Sequence, residues 1–263
     1  MYNFEFLTAT SLQEAVTALQ DEETQALAGG QTLIPTMKQR LASPERLVSL
    51  TKIKALQGVS RTAHDIVIGA AARHVDVAIE AAECFSALAA LAAQIGDPAV
   101  RNRGTIGGSL ANNDPAACYP AAVLACGAEI VTNLRRIAAE NYFDGMFGTA
   151  LDDGEVITAV RFPIPAAAHY EKFVQPASRF ALVGVFVARV DGAVRVAVTG
   201  AAQDGVFRWT EAEAALSKAF VPAALDGLEI DPSGLIADAH AGQAYRAHLV
   251  AVITKRAVIA ASR

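Results

Sequence analysis

Apolar positions in this chain come in short runs, and their spacing switches repeatedly between the two-residue period of a strand and the longer period of a helix. After a short strand over "NFEFLTA", Leu12, Val16 and Leu19 recur at helical spacing behind Ser11, with Glu14 completing a capping box. The apolar "QALAG" reads as a strand that runs into Gly29 and Gly30. "TLIPTMKQRL" then reads as a helix capped by Thr32, with Pro35 tolerated in its first turn, and "ERLVSL" returns to strand. The order β-α-β-α-β predicts an α/β unit.

The character shifts after Gly58. "DIVIGAA" is a buried strand, followed by two Ala-rich helices around 75–82 and 85–95, then a glycine-rich segment and a helix or turn from Tyr119 through Leu124. Strand "AEIVT" and loop "NYFDGMFGTALDDGE" lead to strand "VITAVRFPIP", which Pro163 and Pro165 end. From Tyr170 a third unit begins, where "FALVGVFVARV" and "AVRVAVTGAA" flank Asp191-Gly192, a strong hairpin signal. "EAEAALSKAF" and "AYRAHLVAVITKRAVIAA" are its helices. The expected organisation is α+β in three units: 1–57, 58–168 and 169–263.

Composition narrows the classes of function. With 263 residues, 53% of them hydrophobic, the chain has ample material for buried cores. A net charge of −5 with no basic run argues against a nucleic-acid partner. The longest apolar runs have strand length, so no transmembrane segment is expected. The N-terminus "MYNFEFLTAT" has neither the basic start nor the apolar core of a signal peptide, which points to the cytoplasm. Three cysteines without a C-x-x-C pair, and five histidines without an H-x-x-x-H pair, give no sign of a metal held by this chain.

The candidate chemistry lies in two diglycine segments. "LAGGQTLIP" (27–35) and "TIGGSLANN" (105–113) share an apolar lead-in, Gly-Gly, and then a hydroxyl or small polar side chain. Each alone reads better as a tight turn. Together they offer two side-chain-poor loops whose outward N–H groups form concave anion sites, and two such loops could grip the two phosphates of one pyrophosphate. Neither is a G-x-G-x-x-G after a strand, and no G-x-x-x-x-G-K-[ST] exists, which sets aside a Rossmann nicotinamide site and a P-loop.

"AGGQTLIPTMKQR", "IGAAARHVDV" and "IGDPAVRNRGTIGGSLANNDPAACYPAAVLA" together resemble the FAD-binding medium subunit of the molybdenum hydroxylases, the carbon monoxide dehydrogenase and xanthine dehydrogenase group. The resemblance extends through "DDGEVITAVRFPIP" and "YEKF" to "YRAHL" near the C-terminus. It implies two α/β subdomains of the vanillyl-alcohol-oxidase type enclosing FAD, plus a C-terminal antiparallel sheet with helices. It also implies a first pyrophosphate loop of Ala28, Gly29, Gly30, Gln31, Thr32 and Leu33, and a second of Thr105, Ile106, Gly107, Gly108 and Ser109. Asn112 and Asp114 would run beside the cofactor, Ile157 would lie at its adenine or ribose end, Lys172 near the isoalloxazine, and Phe180 against the flavin. On the residues alone, Asp114-Pro115 also fits a turn, Lys172 an exposed strand lysine, and Phe180 a core aromatic.

The chain departs from the family where Cys118 stands in place of a second aspartate that contacts the ribityl hydroxyls. A thiol accepts hydrogen bonds poorly, and Asp114 or Asn112 could substitute. Ala99 replaces a frequent glutamine, and "AAARH" lacks the usual threonines.

The resemblance implies an oxidoreductase subunit that names no catalytic side chain of its own. It would take electrons from a small subunit carrying 2Fe–2S clusters and pass them through FAD to a terminal acceptor, while a large subunit holds the molybdenum cofactor. The assembly implied is a dimer of heterotrimers. A stand-alone flavin oxidase or reductase with its own substrate site is the alternative.

Overall fold

Short apolar segments, each stopped by a turn former, build three sheets in the computed structural model, which describes residues 1–263. At the start of the chain, β1 (Glu5–Thr8), α1 (Leu12–Ala18), β2 (Thr24–Leu27), α2 (Leu33–Lys38) and β3 (Arg46–Ser49) form a wholly parallel sheet of order β1-β3-β2. Ser11 caps α1 as expected, its hydroxyl accepting from the Glu14 amide at 3.2 Å. Thr32 does not cap α2: its backbone is already helical and its hydroxyl makes no cap bond. The small core of this lobe (Ala9, Ala15, Val48, Ile53, Leu56) closes only with Ala71 and Val156 from farther along the chain.

The second sheet is antiparallel, with order β4-β5-β8-β6-β7 from β4 (Val59–Arg61), β5 (Asp65–Gly69), β6 (Glu129–Thr132), β7 (Arg136–Ala138) and β8 (Ile157–Pro163). Between β5 and β6 run α3 (His74–Glu80), α4 (Ser86–Ala93), α5 (Pro98–Arg101), α6 (Ile106–Asn112) and α7 (Tyr119–Cys126). Every residue of α7 is buried, which is why its sequence shows no amphipathic period.

The third sheet, of order β12-β11-β10-β9, is antiparallel: β9 (Ala167–Val174), β10 (Ala181–Val190), β11 (Ala193–Ala202) and β12 (Gly205–Arg208). Asp191 and Gly192 turn the β10–β11 hairpin at φ +50° and +80°, as the sequence expects of this dipeptide. Phe186 and Ala188 of β10 join the core that contains α7, while Val183, Val185 and Val187 face the core shared with α9 (Gln243–Ala261), beside α8 (Thr210–Lys218). Burial on both faces explains the unbroken apolar run of this strand.

That sheet also fixes the segment leading into α7. Thr199 Oγ1 lies 2.8 Å from the Pro115 carbonyl and 2.7 Å from that of Ala117, and the Gly200 amide donates to Pro115 O at 2.7 Å.

Candidate functional site

Between the lobes runs a cleft of about 470 Å³, walled by 18 hydrophobic residues among 35. Its first wall is the turn from β2 into α2. The amides of residues 28 to 33 donate to no acceptor within the chain, whereas the next one, Ile34 N, bonds Gly30 O at 3.2 Å. Gly30 sits at φ +69° to make this turn. Six consecutive uncommitted amides, with the free Thr32 hydroxyl beside them, are the donor set an anionic group without a counter-cation requires.

Gly29 is required for a different reason. A Cβ on it would collide with the Arg103 carbonyl oxygen and lie 2.6 Å from the Cα of Gly104, so the backbones of two lobes touch here.

The second diglycine departs from the sequence expectation. Gly107 and Gly108 lie inside the first turn of α6, and no strand precedes them; Thr105 makes only an isolated bridge to Arg73. Their amides are committed, Gly107 N to Ala70 O at 2.9 Å and Gly108 N to Thr105 Oγ1 at 3.1 Å. This segment is therefore no second amide nest. Its glycines permit close approach: a Cβ on Gly107 would sit 2.6 Å from the Cβ of Ala70. Along α6, Gly107, Gly108, Ser109, Ala111 and Asn112 line the cleft, and Ser109 and Asn112 are its polar side chains there.

Of the residues singled out from the sequence, 28–33, Thr105, Gly107, Gly108, Ser109, Asn112, Asp114, Cys118, Ile157 and Phe180 all line this one cleft. Ile106 does not; it is fully buried in the core of the second lobe. Nor does Lys172, whose ammonium donates to Gln94 O (2.8 Å) and Arg179 O (3.0 Å) and reaches Cys118 Sγ (3.6 Å). Asp114 spends one oxygen on the Ala116 amide at 2.8 Å, the turn role, while still facing the cleft. Phe180 is 46% exposed and is thus a cleft residue, not a core aromatic.

The far end is built by Val156 and Ile157, both buried. Val156 N donates to Asn133 Oδ1 at 2.7 Å. Next to it Glu155, itself in the wall, is held by Thr132 Oγ1 (2.6 Å), Arg135 Nη2 (2.9 Å) and the Asp152 amide (2.9 Å). Burial alone would raise its pKa, but these donors outweigh it and hold the carboxyl at about 2.

Sequence reasoning missed much of the wall, His74, Glu155, Val156 and Arg179 among it. His74 is buried under Gly104 with Nδ1 unpartnered, and burial, aided by the Arg101 charge, lowers its pKa to about 4. Only the placement of His74 within "AAARH" and of Arg179 beside Phe180 could have flagged them.

An apolar slot with a bare amide row in one wall, hydroxyls opposite, and an aromatic ring at its mouth suits a dinucleotide carrying a large flat ring. The residues present fit FAD. The fold and site thus define a flavin-dinucleotide-binding protein.

Residues 2–165 match the family described as FAD binding domain in molybdopterin dehydrogenase, and the chain belongs to that family. The chain is 32% identical over 278 residues to the carbon monoxide dehydrogenase medium chain of Afipia carboxidovorans, covering 97% of this chain and 96% of the other. It is 34% identical to the glyceraldehyde dehydrogenase medium chain of Sulfolobus acidocaldarius over 70% of this chain and 69% of that one. Among solved structures, a chain of reconstituted CO dehydrogenase from Oligotropha carboxidovorans superposes with a TM-score of 0.89 at 30% identity, covering 99% of each chain. This protein is accordingly an FAD-binding medium subunit of an oxidoreductase of the molybdenum hydroxylase family, and a stand-alone flavin oxidase is not favoured.

Proposed function

We propose that the cleft holds FAD with its diphosphate on the amides of residues 28–33, and that this subunit relays electrons from an iron–sulfur partner to a terminal acceptor. The unbroken row of six uncommitted amides in the cleft wall carries this reading. Thr32 and Ser109 add hydroxyl donors from the two facing walls, Thr105 shapes the start of α6, and Asp114 and Asn112 serve the polar linker between diphosphate and ring. Val156 and Ile157 enclose the adenine end, where the Glu155–Arg135 pair fixes their backbone.

Bound flavin would supply the chemistry, because it accepts electrons singly or in pairs. The chain's own part is to bind, orient and exclude water. Units 1–57, 58–168 and 169–263 would be its three lobes, the cofactor lying between the first two, while Thr199 of the third holds the Pro115 and Ala117 carbonyls beside the cleft. The partners are a large subunit with the molybdenum cofactor and a small subunit with 2Fe–2S clusters, as a dimer of heterotrimers in the cytoplasm. That the relatives are medium chains supports the partners. No helix is long and apolar enough to cross a membrane.

Titration of the full-length chain with FAD, followed by flavin fluorescence quenching and the visible band, tests the binding. Saturable uptake is expected in the unsubstituted chain. Affinity should drop at least tenfold in Gly29→Ala, whose new Cβ must push the two lobes apart. Undiminished uptake by this variant would remove residues 28–33 from the site.

A further inference from the structure

A diphosphate and a reduced flavin each bring negative charge into the cleft; the amide row faces the first, and the lining offers one cation besides. Among the residues that line the cleft, Arg179 is the only lysine or arginine. No hydrogen bond or ion pair within the chain engages its guanidinium, in contrast to Arg135, which shares Asp152 and Glu155. The lysine expected near the flavin, Lys172, does not line the cleft; its ammonium is spent on two carbonyls and a thiol.

Arg179 is also held deliberately. It has φ +63°, the left-handed region that a branchless glycine would occupy at lower cost. Its amide donates to Gln175 O at 2.8 Å, Gln175 N donates to Phe180 O at 2.9 Å, and Gln175 Oε1 accepts from Ser178 N at 2.6 Å. Lys172 Nζ takes the Arg179 carbonyl and ties it to the end of α4 through Gln94 O. One turn thus presents the Arg179 guanidinium and the Phe180 ring together at the cleft mouth.

Which part of the cofactor lies there follows from access. The Val156–Ile157 end is buried, whereas residues 178–180 are exposed to solvent. Electrons arriving from a partner chain need the isoalloxazine at the surface-reaching end. Two electrons from that partner and one proton from water leave the ring with one added negative charge.

We propose that Arg179 is the group that meets this charge, so that it binds the reduced flavin more tightly than the oxidised one and sets the flavin potential. This rests on the cleft being the FAD site. Charge near the ring is one of the levers by which a protein tunes its flavin. Lys172 is a positioning residue for it.

The test is a spectroelectrochemical titration of the FAD-loaded full-length chain, paired with affinities for oxidised FAD. Arg179→Gln, an exposed position whose side chain supports no other group, is expected to bind oxidised FAD within a factor of two of the parent. Its preference for two-electron-reduced flavin should fall at least tenfold, a lowering of the potential by about 30 mV for a two-electron couple. Arg179→Lys should recover part of this, and Lys172→Met should shift the potential the same way by freeing the loop. An unchanged potential in Arg179→Gln overturns the proposal. So does a tenfold loss of oxidised-FAD affinity at constant potential, which would place Arg179 on the diphosphate; yet that result would leave the cleft as the FAD site. Failure of the parent chain to take up FAD would overturn both.

Discussion

His74 shows how much a single side chain can contribute when its ring is buried. Its folded-state pKa of about 4 lies below the ordinary value of 6.5, because burial and the neighbouring Arg101 charge disfavour the imidazolium. The unfolded chain therefore takes up this proton first as pH falls through 6.5, and stability drops until the folded state also protonates near pH 4. Two and a half pH units correspond to about 3 kcal/mol. Denaturant unfolding of the parent and of His74→Asn at pH 7.5, 6, 5 and 4 should show the loss in the parent and a flatter profile in the variant. Glycines give the second residue-scale expectation. Gly107→Ala forces a Cβ against Ala70 and should cost about 1–3 kcal/mol of stability, measured as a lowered melting temperature. At this scale the sequence was a partial guide. Gly29, Gly30 and Thr32 were legible because they adjoin one another, whereas His74 and Arg179 gain their meaning from elements far away in the chain. Nothing local reveals that Lys172 stands behind the wall, with Gln94 O and Arg179 O sharing its ammonium.

Elements were easiest to read where apolar spacing was long and regular. The two long strands of the third lobe, with their Asp-Gly turn, and the C-terminal helix follow directly from periodicity. Short edge strands such as β4, β7 and β12 did not, since three or four residues carry no period. Helix α6 was read as a glycine-rich loop, since two glycines oppose helix propensity. The Thr105 cap and the packing of Gly107 on Ala70 outweigh that preference. A buried arginine joins the third sheet to the last helix. Arg246 of α9 donates to Leu182 O (2.6 Å), Gly200 O (2.8 Å) and Asp238 (2.6 Å). Arg246→Met would strand two buried carbonyls and should cost about 2–4 kcal/mol in chemical denaturation. The loss should also loosen the Gly200–Pro115 contact at the cleft and so weaken FAD binding, which fluorescence quenching can follow.

The whole molecule joins three cores in such a way that no lobe owns the site. The first lobe closes its core with Ala71 and Val156, the second shares one with Phe186 and Ala197, and the cleft opens where all three meet. Such a site assembles only in the folded chain, so FAD should raise the melting temperature of the entire protein, in proportion to the logarithm of ligand excess. The relay proposed here also requires company, and native mass spectrometry of the protein purified from its source should find it with a larger and a smaller chain. The most direct measurement is a crystal structure of the chain, or of its complex, with FAD bound. Diphosphate oxygens are expected within about 2.7–3.2 Å of amide nitrogens of residues 28–33, with the isoalloxazine at Phe180. Phosphates seated away from that amide row, or a ring at the Val156 end, would contradict this placement.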